Sequence, residues 1–62
     1  MFIDEIELRQ ACKEILEEKG VRIKYLQLLL DISKEGVEYW DSEKIYDNFK
    51  RWTDLAIKNN LI

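Results

Sequence analysis

The acidic side chains of the first third of the chain are the first candidates for chemistry. Glu14 and Glu18 stand four positions apart with Glu17 between them, so the outer side of one helix would carry all three. Paired carboxylates act as general acid and general base when a partly dry, concave site separates their pKa values. An exposed helix side offers no such site, and we expect this acidic face to be solvated.

Cys12 is the only cysteine, and the chain has no histidine. A catalytic thiolate needs a basic neighbour such as histidine, so we interpret Cys12 as a small core residue. A zinc site needs a set of nitrogen and sulfur ligands that this composition does not supply. Glycine-rich phosphate loops and Ser/His/Asp sets are also missing from the sequence. The sequence therefore predicts a non-enzymatic protein that needs no cofactor and no metal.

Aromatic side chains are concentrated between residues 39 and 52, a composition that also occurs in base-stacking surfaces. Phe49 and Trp52, however, fall on an apolar helical stripe, which is typical of a core. Tyr39 and Trp40 lie in a connector, where we expect contact with a partner protein, because Tyr and Trp are enriched at such contacts.

Two glycines, Gly20 and Gly36, divide the chain into three segments, each able to form a helix. The first helix is predicted over about residues 4–19, with Asp4 as its N-cap and Glu7 completing a capping box. The side chains expected to face the core recur at helical spacing: Leu8, Ala11, Cys12, Ile15 and Leu16.

The second segment, predicted as a helix over about residues 22–35, is apolar around most of its circumference from Ile23 to Ile32. A helix of this kind must be covered from more than one side, so we expect it at the centre of the domain, with a subunit contact as a further possibility. Residues 21–25 alternate between apolar and polar, which leaves a short extended entry open as an alternative.

The third helix is predicted over about residues 42–59, with Asp41 as N-cap and Asn59 and Asn60 as stop signals. Its expected buried stripe is Ile45, Phe49, Trp52 and Ala56. Residues 1–62 are therefore expected to form one all-α domain. We predict a compact three-helix bundle or an orthogonal three-helix domain with a central hydrophobic second helix.

Size and charge restrict the function. A chain of 62 residues buries little surface, and without a disulfide or a metal we expect self-association to add stability. The net charge is −3, and residues 1–20 hold six acids against three bases. The longest apolar run, residues 28–30, is far too short for a membrane span, and no leader is readable. With a lone cysteine, this indicates a cytoplasmic protein with no membrane contact.

We therefore expect a small protein-interaction or regulatory module that acts through a helical surface and forms a homodimer or another homo-oligomer. Its partner surface is predicted from the apolar side chains that the helical stripes leave uncovered: Tyr39, Trp40, Leu55, Leu61 and Ile62. The acidic face of Glu14, Glu17 and Glu18 is a second candidate, for contact with a basic protein surface.

The alternative hypothesis is a helix-turn-helix-like DNA-binding regulator of a phage, plasmid or low-GC bacterium, with the third helix as recognition helix. Its DNA contacts would be Lys44, Lys50, Arg51 and Lys58. Two acids weigh against this hypothesis. The pairs Asp47–Arg51 and Asp54–Lys58 have i,i+4 spacing, and bases neutralised in this way gain little from phosphate.

Overall fold

The computed structural model describes residues 4–37 and 41–62, and these residues form three α-helices and one short 3-10 turn, with no strand among them. The elements are α1 (Glu5–Glu18), the 3-10 turn (Ile23–Tyr25), α2 (Leu26–Lys34) and α3 (Ser42–Lys58). The three helices pack as a three-helix bundle, which confirms the predicted fold class.

Helix α1 begins after Asp4, as predicted, but the Asp4 side chain makes no capping hydrogen bond, so the expected capping box is not formed. Gly20 ends the helix with a φ of +71°. The Val21 N–H donates to the Leu16 carbonyl at 2.8 Å, and the Gly20 N–H donates to the Glu17 carbonyl at 3.2 Å. These two hydrogen bonds reverse the direction of the chain. Glycine adopts the positive φ that this turn requires without the steric strain that a Cβ atom would cause.

Helix α2 is shorter than the sequence predicted. Residues 21 and 22 carry no regular structure, and the 3-10 turn follows them, so the alternating segment does not form a strand. The N–H of Val37 donates to the Lys34 carbonyl at 3.2 Å, just beyond Gly36, whose φ is +84°.

Helix α3 begins and ends where the sequence predicted. The Asp41 carboxylate accepts a hydrogen bond from the Lys44 N–H at 3.2 Å, which satisfies one of the free donors of the first turn. At the other end Asn60 has a φ of +56°, and the Leu61 N–H donates to the Ala56 carbonyl at 2.8 Å. The α3 end thus repeats the arrangement at Gly20, with asparagine in the left-handed position.

The core lies between the three helices, and α3 packs along both others, most extensively along α2. Its buried side chains are Leu8, Cys12, Ile15, Leu16, Leu26, Leu29, Leu30, Ile45 and Phe49. Two buried hydroxyls bond to carbonyls of their own helix: Ser33 Oγ donates to Leu29 at 2.6 Å, and Thr53 Oγ1 donates to Phe49 at 2.7 Å. Small polar side chains are therefore accommodated without unpaired donors.

The structure corrects the predicted stripe of α3. Trp52 is 39% exposed, whereas Thr53 is fully buried. The stripe continues from Phe49 to Thr53, four positions on, because the threonine hydroxyl finds its acceptor inside the helix.

The expected covering of the second helix is only partly realised. Leu26, Leu29 and Leu30 are buried, but Leu28 is 53% exposed, and Ile23 in the preceding turn is 50% exposed. Among the described elements only α1 and α3 pack against α2 as helices, and the exposure of Leu28 shows that the far side of α2 faces solvent.

Candidate protein-interaction surface

Hydrogen bonds and ion pairs fix which side of α2 faces each neighbour. Arg9 Nη1 of α1 donates to Gln27 Oε1 at 2.7 Å, and Lys34 Nζ lies 3.7 Å from Glu5 Oε1. On the other side, Asn48 Nδ2 of α3 donates to the Ser33 carbonyl at 3.2 Å. Residues on a helix turn by about 100° per position, so Leu28 and Ile32 lie on the side of α2 that faces away from α1.

Two contacts orient α3 in the same way. Lys19 at the end of α1 forms an ion pair with Asp54, which marks the α1 side of α3. Asn48 marks the α2 side. Trp52 and Leu55, four and seven positions after Asn48, share that side of the helix and are 39% and 40% exposed.

These placements bring four apolar side chains together along the outer groove between α2 and α3. We call this surface the α2–α3 patch; it consists of Leu28, Ile32, Trp52 and Leu55. The two helices run in opposite directions, because Ser33 lies beside Asn48 while Tyr25 and Ile57 line one hollow at the other end. Counting back from Ser33 along α2 and forward from Asn48 along α3, Leu28 lies level with about residue 53, between Trp52 and Leu55, and Ile32 lies level with about residue 49, nearer Trp52 than Leu55.

The edge of the patch on α3 is basic. Lys44, Arg51 and Lys58 recur at every seventh position and so form one stripe beside Leu55. The Arg51 guanidinium lies 5.9 Å from the centre of the Trp52 ring, and its Nη2 donates to Asn48 Oδ1 at 3.1 Å. Arg51 is thereby held at the border of the patch.

The edge of the patch on α2 is acidic. Asp31 of α2 and Glu35, the residue that follows the helix, are both exposed and lie three and seven positions beyond Leu28. Asp31 Oδ1 accepts a hydrogen bond from Gln27 Nε2 at 2.9 Å. The apolar patch is therefore flanked by charges of opposite sign on its two long edges.

The predicted ion pairs of α3 are wrong. Asp47 lies 4.0 Å from Lys50 rather than beside Arg51, and Asp54 bonds to Lys19 rather than to a lysine of its own helix. Asp54 points toward Lys19 at the end of α1, and Asp47 lies closest to Lys50, three positions further along α3. Within residues 4–37 and 41–62, the stripe of Lys44, Arg51 and Lys58 has no ion-pair partner.

The residues predicted as DNA contacts therefore separate into two groups. Three of them form the stripe beside the patch. Lys50 lies on the α1 side, where its Nζ stands 5.0 Å from the centre of the Tyr46 ring.

The predicted partner surface is also divided. Leu55 belongs to the α2–α3 patch. Leu61 is 72% exposed at the end of α3, and Ile62 is half-buried against the core. Tyr39 and Trp40 lie outside the described residues. Sequence reasoning missed Leu28 and Trp52, although the all-round apolar character of residues 23–32 was the signal for Leu28.

The acidic face predicted on α1 is exposed, at Glu14, Glu17 and Glu18. No ion pair involves these three carboxylates within the part of the chain that the structure describes. No enclosing wall separates them from water, so the arrangement remains that of a solvated helix side.

Cys12 is fully buried in the core. Burial raises the pKa of its thiol from the ordinary value of 9.0 to about 11, and the positive charge of Arg9 offsets only part of this increase. The thiol is therefore protonated at neutral pH and packs as a small apolar side chain.

Two other hollows open on the surface. One lies between α1 and α2 and is lined by Ile6, Arg9, Gln10, Lys13 and Leu26. The other lies at the Gly20 turn and is lined by Lys19, Gly20, Val21, Arg22, Tyr25, Ile57 and Ile62. Neither combines a nucleophile with a base, and no three potential metal ligands converge among the described side chains.

None of the helices in the described ranges has both the length and the hydropathy of a membrane-crossing segment. Comparison of the chain with protein-family models, with curated proteins and with solved structures found no match.

Proposed function

We propose that this protein is a small non-enzymatic interaction module that binds another protein chain through the α2–α3 patch. The observation that carries the proposal is the grouping of Leu28, Trp52 and Leu55, which are 39–53% exposed, along one groove. Grouped apolar side chains with a charged border mark interfaces, whereas single exposed ones are normal on any surface.

The position of the patch supports the proposal. Three of the other exposed apolar side chains stand apart from it: Ile6 lies on the α1 side, Ile57 lines the hollow at the Gly20 turn, and Leu61 lies beyond the end of α3. Ile23 precedes α2, in the 3-10 turn. Trp52 adds a large aromatic surface with Arg51 beside it, and Trp and Arg are the side chains most enriched at the centres of protein interfaces.

Site-specific photo-crosslinking in the cells that produce the protein tests this proposal. A photoreactive phenylalanine analogue is placed at Leu55 in one variant and at Ile6 in a matched control, because both positions are exposed and helical. We expect discrete protein adducts from position 55 and none of comparable yield from position 6. Equal adduct patterns at the two positions, or none at position 55, would overturn the proposal.

A second candidate function is DNA binding through α3. It is favoured by the stripe of Lys44, Arg51 and Lys58, which has no ion-pair partner in the described ranges. The exposed acids Asp47 and Asp54 lie beside this stripe and oppose it by repelling phosphate.

Titration of a labelled DNA duplex at two salt concentrations tests the second function. A DNA binder that uses three bases would lose affinity steeply with salt, with a logarithmic slope of about −3. Absence of binding at low salt would eliminate this candidate.

A further inference from the structure

We infer that the partner of the α2–α3 patch is a second copy of this chain, related by a two-fold axis parallel to α2 and α3. The inference rests on the proposed function and names the occupant of the surface. In this arrangement α2 of each copy packs on α3 of the other, and the two patches are buried between these four helices.

Charge decides between the two symmetric ways of joining the patches. A two-fold axis perpendicular to the helices would place α2 on α2, so Asp31 and Glu35 would face the same acids of the second copy. It would also place the basic stripe of α3 against itself. A two-fold axis parallel to the helices instead sets the acidic edge of each copy against the basic edge of the other, and opposite charges favour that orientation.

The levels of the side chains along the helices agree with the parallel axis. This operation keeps each residue at its own height, and the Ser33–Asn48 hydrogen bond sets the heights of α2 and α3 relative to each other. The residue two positions before Ser33 on α2 therefore lies at the same height as the residue two or three positions after Asn48 on α3. Asp31 therefore comes level with Arg51 of the second copy.

The apolar side chains match in the same register. Leu28 of one copy comes between Trp52 and Leu55 of the other, and Ile32 comes on the Asn48 side of Trp52, so the apolar side chains of the two patches meet. Arg51 is already held at the patch edge by its bond to Asn48, which lowers the cost of ordering it on association.

The expected dimer is weak. The patch exposes on the order of 300 Å² of apolar surface, well below the roughly 800 Å² per partner of a standard stable interface. Exposed ion pairs at its edges add about 0.2–1 kcal/mol each. We therefore expect a dissociation constant of about 10–100 µM.

A charge swap measured by sedimentation equilibrium tests the inference. The single variants Arg51→Asp and Asp31→Arg each place like charges opposite one another and are expected to raise the dissociation constant about fivefold or more. The double variant restores opposite charges at the same positions and is expected to return within about twofold of the unmodified protein. Glu17→Arg, an exposed charge change on α1, is the control and should leave association unchanged.

The outcomes separate this inference from the proposed function. If the chain stays monomeric up to about 500 µM while the photo-crosslinker at position 55 captures a different protein, the partner is not a second copy of this chain. The proposal that the patch binds a protein would then still hold. A dimer that neither single variant weakens overturns the parallel axis. Circular dichroism of each variant verifies that the fold is retained, so that lost association is not lost structure.

Discussion

The core and the α2–α3 patch contain the same kinds of side chains but differ in what covers them. Phe49 and Leu30 are 0% and 1% exposed in the core. Trp52 and Leu28, only three and two positions away along the same helices, are 39% and 53% exposed in the patch. The number of covering helices, and not the hydrophobicity of the chain, limits burial in this molecule.

The three consecutive leucines of α2 show why. Neighbouring residues on a helix point about 100° apart, so a core on one side can take two of three consecutive side chains. Leu29 and Leu30 are buried in the core, and Leu28 is left outside. A fourth helix would cover Leu28, and a partner chain is one way to supply it.

Replacement of the aromatic side chains of α3 separates the two regions most strongly. Phe49→Ala empties a fully buried site and should lower the free energy of unfolding by about 3–5 kcal/mol. That loss approaches the whole stability of a domain this size, about 3–9 kcal/mol. Trp52→Ala, one turn away, should cost only about 1 kcal/mol.

Urea unfolding followed by circular dichroism at low micromolar concentration measures both variants as monomers. Equal losses for Phe49→Ala and Trp52→Ala would mean that the patch is part of the core.

The leucines of α2 provide the next comparison. Leu30→Ala leaves a cavity among side chains that cannot fully collapse, and it should cost about 2–4 kcal/mol. Leu28→Ala removes a half-exposed side chain and should change monomer stability by less than about 0.7 kcal/mol. The same urea titration measures both. If Leu28→Ala lowered the free energy of unfolding more than Leu30→Ala, Leu28 would belong to the core and not to the exposed patch.

The pKa of Cys12 depends on how completely water is excluded from the core. Burial raises the pKa of its thiol to about 11, so the unfolded chain releases this proton at a lower pH than the folded protein does. The resulting contribution to stability is complete below pH 9.0 and is lost as the pH rises through about 11, by about 1.4 kcal/mol per pH unit within that window.

Other groups titrate at alkaline pH, so the measured quantity is the difference between the protein and Cys12→Ala. The unfolding free energy of the protein should fall more steeply between pH 9 and 11 than that of the variant. Parallel curves would show that water reaches the thiol in the folded state.

Local signals in the sequence were sufficient to predict α1 and α3 with their ends, whereas the predicted start of α2 was too early, because a 3-10 turn occupies Ile23–Tyr25. Gly20 and Asn60 take the left-handed conformation, and Asp41 caps α3. Each of these features depends on a residue type and its immediate neighbours, so no knowledge of packing is needed. Asp4 is the exception, since its position is right but its capping bond is not formed.

The composition of the patch was beyond local reasoning. The apolar stripe of α3 is compatible with either Trp52 or Thr53 facing inward, and packing against α2 decides between them. Likewise, Asp54 has lysines nearby on its own helix but pairs with Lys19, 35 positions away in sequence. Contacts of this kind follow from the tertiary arrangement, and i,i+4 rules do not predict them.

The smallest expected effect belongs to Leu55, at the outer edge of the patch. Leu55→Gln keeps a helix-forming side chain of similar length at a site that is 40% exposed, so monomer stability should change by less than about 0.5 kcal/mol. Ala56→Gln is the matched control one position on, because Ala56 is only 8% exposed and a longer polar side chain there should cost about 1–3 kcal/mol. Thermal unfolding of the two variants at low concentration compares them. If Leu55→Gln lost as much stability as Ala56→Gln, Leu55 would be a core residue, and the patch would have no side chain free to meet a partner.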